Sequence, residues 1–431
     1  MAFPAVVTLR CAVQQYAWGR IGLDSAVASL SQSSNKDFTL QADQPYAELW
    51  MGTHPKGPSI VGSSEHAGIP LGDWIAKQPE CLGSKVRAKF GDQLPYLFKV
   101  LSVNKSLSIQ AHPNKAHAEQ LHAERPDKYP DPNHKPEMAL ALTPFEGMNG
   151  FRPVSEIVNF LENVPELRAV VGDENAASLS AALKASNGNG SSEECRAGLK
   201  QCLSAIMNKE IAEMTSRLEA MITRLKAEEA AGQDLSKNNG ALVLRLYSQF
   251  PGDVGCFVSY LFNHITLQPG QAMFLGPNEP HAYLSGNCME CMAGSDNVVR
   301  AGLTPKFKDI PTLCEMLTYL PSTPDEKIFP SKADASEPTL TIYDPPVPDF
   351  AVARVKVPAD QASYSLRAED SPSIIIIIEG QGEAAHPSLG NGQTLPICKG
   401  SVLFLSANES LAFKLSPANG LLAFRAFCPL D

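Results

Sequence analysis

A glycine followed eleven residues later by the head of a new strand occurs twice in this chain, and the repeat limits the fold more than any other feature. Gly270-Gln-Ala-Met-Phe-Leu-Gly-Pro-Asn-Glu-Pro-His281 reads as an apolar strand, a tight turn and a second strand that begins at a histidine. Gly400-Ser-Val-Leu-Phe-Leu405 repeats the first strand and Ser406-Ala-Asn-Glu409 the turn, with Leu411 where the first copy has His281. Gly276 and Asn278 suit a turn that visits positive φ. Upstream of the second copy, Ser373-Ile-Ile-Ile-Ile-Ile378-Glu-Gly-Gln-Gly382 reads as a buried strand running into a glycine turn. Two stretches that fit one template argue for two barrels of one kind.

Jelly-roll barrels of the cupin type carry this glycine-to-histidine spacing, with the histidine as a metal ligand. The expected fold class is mainly β with an α-helical insertion: two cupin-like jelly-roll barrels plus a helical domain. From Val154 to about Asn263 the composition turns to Ala, Leu, Glu and Lys and strand alternation disappears. Ile211, Met214, Leu218, Met221, Ile222 and Leu225 fall on one helical face, a core stripe, and Ser186–Ser192 reads as a loop between helices. The expected units are residues 1–152 with 264–329 as a metal-binding barrel, 153–263 as the helical domain, and 330–431 as a barrel without metal.

The first barrel has the side chains for a divalent ion. In Ser108-Ile-Gln-Ala-His-Pro-Asn114, alternation along a strand puts Gln110 and His112 on one face. Glu137 and His281 complete a four-ligand set. Two imidazoles and a carboxylate are the protein ligands of one class of catalytic zinc site, and a neutral Gln oxygen leaves a net charge of about +1. That residual charge makes a useful Lewis acid. Gln-x-His alone is a common pattern of half-exposed strands; the register of His281 is what lifts it above that.

Other features narrow the function classes. The longest apolar run, five isoleucines, falls far short of the roughly 20 residues that span a bilayer. Met1-Ala-Phe-Pro-Ala-Val-Val lacks the basic start of a signal peptide. Ten cysteines without regular spacing make no disulfide framework, so a cytoplasmic protein is expected. Cys288-Met-Glu-Cys291 has no second CxxC and is read as small buried thiols. A net charge of −10 argues against nucleic acid and anionic membrane as partners, so an anionic ligand must meet a local cluster of cations.

Seven blocks, in order, carry a resemblance: Gln14-Gln-Tyr-Ala-Trp-Gly19, Tyr46-Ala-Glu-Leu-Trp-Met-Gly-Thr-His54, Pro95-Tyr-Leu-Phe-Lys99, Leu107-Ser-Ile-Gln-Ala-His-Pro113, Asp131-Pro-Asn-His-Lys-Pro-Glu137, Glu279-Pro-His-Ala-Tyr283 and Ser295-Asp-Asn-Val-Val-Arg-Ala-Gly302. From about residue 7 onward the chain resembles the type I mannose-6-phosphate isomerases of eukaryotes. The resemblance implies a zinc-dependent aldose–ketose isomerase interconverting mannose 6-phosphate and fructose 6-phosphate. It implies Zn2+ on Gln110, His112, Glu137 and His281, with Arg300 in the active site. It further implies a barrel, a helical domain and a C-terminal jelly roll, and a place in GDP-mannose supply for glycosylation.

Moving a carbonyl between C1 and C2 needs a proton taken from one carbon and returned to its neighbour through an enediol-type intermediate, and positive charge near the oxygens stabilises it. Candidates for proton exchange are Glu290, Lys135, Glu48, His54 and Asp296, without a choice among them. The plainer alternative for Glu290 is a surface carboxylate, and for Lys135 a phosphate or structural cation. Arg300, as a planar fork, and Lys306 are candidate phosphate partners, with Ser108 adding a hydroxyl and Lys99 serving either region. Trp18, Trp50 and Tyr283 are candidate pocket walls, or plain core. The expected partner is a small sugar phosphate, with no nucleic acid or membrane, and the chain is expected to be a monomer. Two other classes stay open: a cupin that binds a sugar without turning it over, and a metal-dependent oxygenase, which would favour redox iron and a His/His/carboxylate set without Gln.

Overall fold

The structure, a computed structural model, describes residues 3–63, 66–390, 392–416 and 420–430. With 32% helix and 29% strand it is a mixed helix and sheet protein, not the mainly β one expected. The helical insertion is present as expected and supplies much of the helix. The rest comes from short helices among the strands, such as Ala26–Ser34, Ser84–Phe90 and Lys115–Glu124, too brief to show a clear apolar period.

The strand His281–Ala293 is the axis of the first sheet. Its first half pairs with Phe145–Phe151 and, at His281, with Gln110; its second half pairs with Tyr96–Val103 and Glu137–Ala141. Between the halves the register shifts, and Gly286 sits at φ 112° with Phe145 and Pro144 so close that a Cβ would fall 2.5 Å from the Pro144 carbonyl oxygen. The bulge there inserts one residue and turns the second half of the strand relative to the first.

Alternation decides what each flank of the sheet touches. Leu101, Ala139, Tyr283 and Cys288 point inward to one apolar cluster. On Ile109–Ala111 and the first half of His281–Ala293, Ile109, Ala111, Ala282 and Leu284 point outward and pack on the helical insertion. On Tyr96–Val103, Glu137–Ala141 and the second half of His281–Ala293, Phe98, Val100, Met138, Leu140, Met289 and Cys291 point outward and pack on the C-terminal sheet. Cys288 and Cys291, three apart on one strand, thus lie on opposite faces and are buried free thiols, which excludes a shared metal or a disulfide between them.

The helical insertion leaves the sheet at the strand Phe145–Phe151 and returns on its neighbour Phe262–Leu267, with Phe151 opposite Phe262. A long excursion between adjacent points of one sheet leaves the ladder intact. Helices Asp173–Ala185 and Glu193–Met207 flank the loop expected at Ser186–Ser192. In the helix Ile211–Ala230 the stripe Met214, Leu218, Met221, Ile222 and Leu225 is buried as expected, but Ile211 is 76% exposed. It is the first residue of the helix, a turn ahead of the packed face.

The C-terminal sheet draws on both ends of the chain. Val6–Arg10 pairs with Val402–Leu405 on one side and Ile60–Val61 on the other. The isoleucine run lies in the interior of this sheet, with Ile374 and Ile376 toward the first sheet and Ile375 and Ile377 toward a cluster under the four-stranded sheet of residues 363–415. A strand buried on both faces is what an unbroken apolar run requires.

The two glycine repeats share a backbone as well as a pattern. Gly270 and Gly400 have φ 87° and 86°, Asn278 and Asn408 have φ 61° and 63°, and strands begin at His281 and Leu411. Leu411 has no exposure and lies among Leu366, Leu403 and Phe413. Replacing it with Asn puts an amide into that cluster. Leu411→Asn is expected to lower unfolding free energy by about 3 kcal/mol in chemical denaturation, while the folded fraction keeps its full metal content by elemental analysis.

Candidate metal centre

Glu137 opens the strand Glu137–Ala141, and its carboxylate lies between two imidazoles. His112 Nε2 stands 3.5 Å from Oε1 and His281 Nε2 3.3 Å from Oε2, and all three residues are at most 2% exposed. Their ligand atoms lie within 4.8 Å of one another. The short contacts lack hydrogen-bond geometry: His112 Nε2, His281 Nε2 and Glu137 Oε2 are all buried without a hydrogen-bond partner. Three converging lone-pair atoms left unpaired in a dry interior are costly unless a cation joins them. The donor set and its burial fit a divalent metal.

The far nitrogens make the fit sharper. His112 Nδ1 is 2.6 Å from the Asn297 carbonyl oxygen, and His281 Nδ1 is 3.0 Å from that of Glu279. A carbonyl only accepts, so each Nδ1 carries the proton and each Nε2 is left with its lone pair inward. Asn297 is itself held, its amide donating to the carbonyls of Asp131 and Asn133. Sequence reasoning passed over Asn297, although it sits in the block Ser295–Gly302; its role runs through its backbone oxygen, which residue type does not reveal.

Burial pushes the His112 imidazole down to about 4, so it stays neutral as a ligand must. For Glu137 burial pushes upward, but the Lys135 ammonium beside it prevails and holds the carboxyl well below its ordinary range. Lys135 Nζ lies 3.1 Å from Glu137 Oε1. The expected fourth position is nearby: Gln110 is the cross-strand partner of His281, on the same face, and Ser108 Oγ donates to its Oε1 at 3.4 Å.

Beside this cluster lies a second, fully buried polar group. Trp50, Lys99, Glu290 and Ala139 are successive cross-strand partners, and Glu137 is two residues before Ala139 on the same face. Lys99 Nζ donates to Glu290 Oε2 at 2.9 Å and lies 3.5 Å from Glu48, whose carboxylate also accepts from the Trp50 indole. Tyr283 OH donates to Glu290 Oε1 at 2.7 Å. Tyr283 and Glu290 are an odd number of residues apart, so a regular strand would point them to opposite faces; the bulge before Gly286 is what brings them together. Burial raises the Glu290 carboxyl, opposed by Lys99, while Lys99 is lowered by burial and raised by Glu290 and Glu48 to a net upward shift. The surface reading of Glu290 is excluded at 3% exposure.

Arg300 is the cross-strand partner of Gln110 on the other side, so Arg300, Gln110 and His281 form a row on one face. Its guanidinium is half-buried, which lowers its pKa, and among the described residues it has no hydrogen bond or ion pair. Lys306 is exposed on the loop after that strand. Trp18 packs half-buried against the inner cluster and Tyr16. His54 and Asp296 are drawn to each other at 3.6 Å, with Lys56 also on Asp296, and neither touches the ligand cluster.

Residues 6–154 match the catalytic domain of type I phosphomannose isomerases, 170–262 their helical insertion domain and 341–384 their C-terminal region. The chain is 50% identical to the mannose-6-phosphate isomerase of Bos taurus and 49% identical to that of Homo sapiens, with 100% of both chains covered in each case. A crystal structure of a mutant phosphomannose isomerase from Salmonella typhimurium superposes with a TM-score of 0.81 at 31% identity, covering 99% of this chain and 100% of that one. A crystal structure of a mannose 6-phosphate isomerase bound with zinc and yttrium gives the same TM-score at 30% identity and the same coverage.

His281→Ala removes one of the three converging atoms. Elemental analysis after dialysis is expected to show metal falling from about one ion per chain to near none, with the circular dichroism spectrum of the parent retained.

Proposed function

The chain belongs to the type I phosphomannose isomerases, and on that premise we propose that it is a zinc-dependent aldose–ketose isomerase interconverting mannose 6-phosphate and fructose 6-phosphate. The observation that carries the reading is the buried triad His112, Glu137 and His281, with its inner atoms unpaired. Zinc is the assigned ion, held by these three and Gln110, because neutral imidazoles, one carboxylate and a dry shell suit it. Bound there, it supplies Lewis-acid charge for a reacting oxygen.

The chain's own residues have separable parts. The row Arg300, Gln110, His281 spans two strand spacings, roughly 10 Å, about the reach of an extended sugar phosphate. Arg300 offers an unpaired fork to substrate negative charge, either the phosphate or the enediol-type intermediate, and Lys306 adds a cation at the rim. Lys135, next to Glu137, and Glu290 are assigned to proton exchange. Lys99 and Tyr283 hold both Glu290 oxygens, Glu48 balances Lys99, Ser108 orients Gln110, and Trp18 forms a wall. Both barrels are assigned as cupin-like jelly rolls from their shared glycine and asparagine φ values. Among the described residues no helix is long and apolar enough to cross a membrane. We further assign a monomeric cytoplasmic enzyme whose product feeds GDP-mannose and glycosylation.

A coupled assay with mannose 6-phosphate, run before and after metal chelation, tests this reading. Turnover that chelation abolishes and zinc restores supports it; no turnover by zinc-loaded protein leaves the sugar-binding alternative. Arg300→Ala is expected to cut kcat/KM by roughly two to three powers of ten with zinc content unchanged. Near-parental rates for that variant would remove Arg300 from the site.

A further inference from the structure

His134 stands beside the site and has no part in it so far. Its Nε2 lies 3.1 and 3.2 Å from the two carboxylate oxygens of Asp349. Asp349 is 3% exposed and belongs to the loop that enters the strand Ala351–Val357 of the C-terminal sheet. Through His134 it joins that unit to the segment Asp131–Glu137. Other anchors of the segment come from the first unit: Ser295, Asn297 and Gly294 bind Asn133, and Lys115 binds Pro132 and Asn133.

A buried carboxylate needs a charged or donating partner, and His134 is the side chain that supplies one here. Successive side chains of a segment running into a strand point to opposite sides. With His134 drawn toward Asp349, Lys135 turns the other way, where its Nζ meets Glu137 Oε1 at 3.1 Å. The Pro136 carbonyl, which accepts from Ala293 N at 3.1 Å, then leads directly to Glu137. No sheet ladder holds residues 131–136, so their rotation rests on these side-chain contacts and the one backbone bond at Pro136.

We propose that Asp349 is a positioning residue for the metal centre: through His134 it sets the rotation of the segment that aims Lys135 and Glu137, so the centre depends on the docked C-terminal unit. The proposal rests on the assignment of His112, Glu137 and His281 as the ligands of a catalytic zinc.

The test uses the full-length zinc-loaded protein and the variants Asp349→Ala, His134→Ala, the double variant and His134→Gln. Each alanine variant is expected to lower kcat about ten-fold with KM little changed, and to speed zinc loss to a chelator by about ten-fold, as for other partners of ligands. The double variant is expected to be no worse than the worse single one, because the pair acts as a unit. His134→Gln, whose amide can still donate to Asp349, should recover most of both. Parental kcat and zinc retention in Asp349→Ala, or losses that multiply in the double variant, overturn the proposal. If Asp349→Ala does not fold, the His134 variants decide: equal rates in parent, Ala and Gln, or no recovery in Gln, overturn it. A parent without mannose 6-phosphate turnover instead defeats the functional assignment, and zinc retention still reads the pair.

Discussion

A carboxylate and two imidazoles, buried together with their inner atoms unpaired, set the demand that the rest of this molecule meets. Without further help such a group would relax by rotating toward water or toward one another. It does not, because each member is gripped from behind. Two carbonyl oxygens hold the imidazoles by their far nitrogens, and Lys135 holds the carboxylate. Convergence of the free atoms is thus a property of the surrounding backbone, which explains why so many residues with no chemistry of their own surround the centre.

Those residues come from three units, and strand alternation assigns the work. Inward positions carry polar groups near the triad and apolar ones farther from it. Outward positions on the strand of Gln110 and the first half of the strand of His281 rest on the helical insertion, while those on its second half and on the strands of Lys99 and Glu137 rest on the C-terminal sheet. Neither appended unit carries a member of the triad. Each instead turns a flank of the sheet that would face water into packed interior, where a one-residue slip would exchange every inward and outward side chain.

The parts legible in the sequence are those written in local spacing. The glycine repeats and the Met-bearing helical stripe each span a dozen residues or so, and a period or a turn residue marks them. What escaped is non-local or acts through the backbone. The partnership of Lys99 with Glu290 depends on strand pairing, and that of Tyr283 with Glu290 on a bulge whose only trace is Gly286. Asn297 works through its carbonyl oxygen. The helix content was understated because short helices tucked between strands have no room to display a period.

The strand Val6–Arg10 has a consequence for how the molecule comes into being. Its ladder partner Val402–Leu405 lies nearly the whole sequence away, so during synthesis the early strand emerges long before the one it must join. Until then it presents an apolar edge, with Val6 and Val7 uncovered, to whatever is nearby. A strand made nearly 400 residues later is therefore the one that closes this side of the early strand. A nascent or C-terminally truncated chain would carry that open edge as an invitation to chaperones and to aggregation.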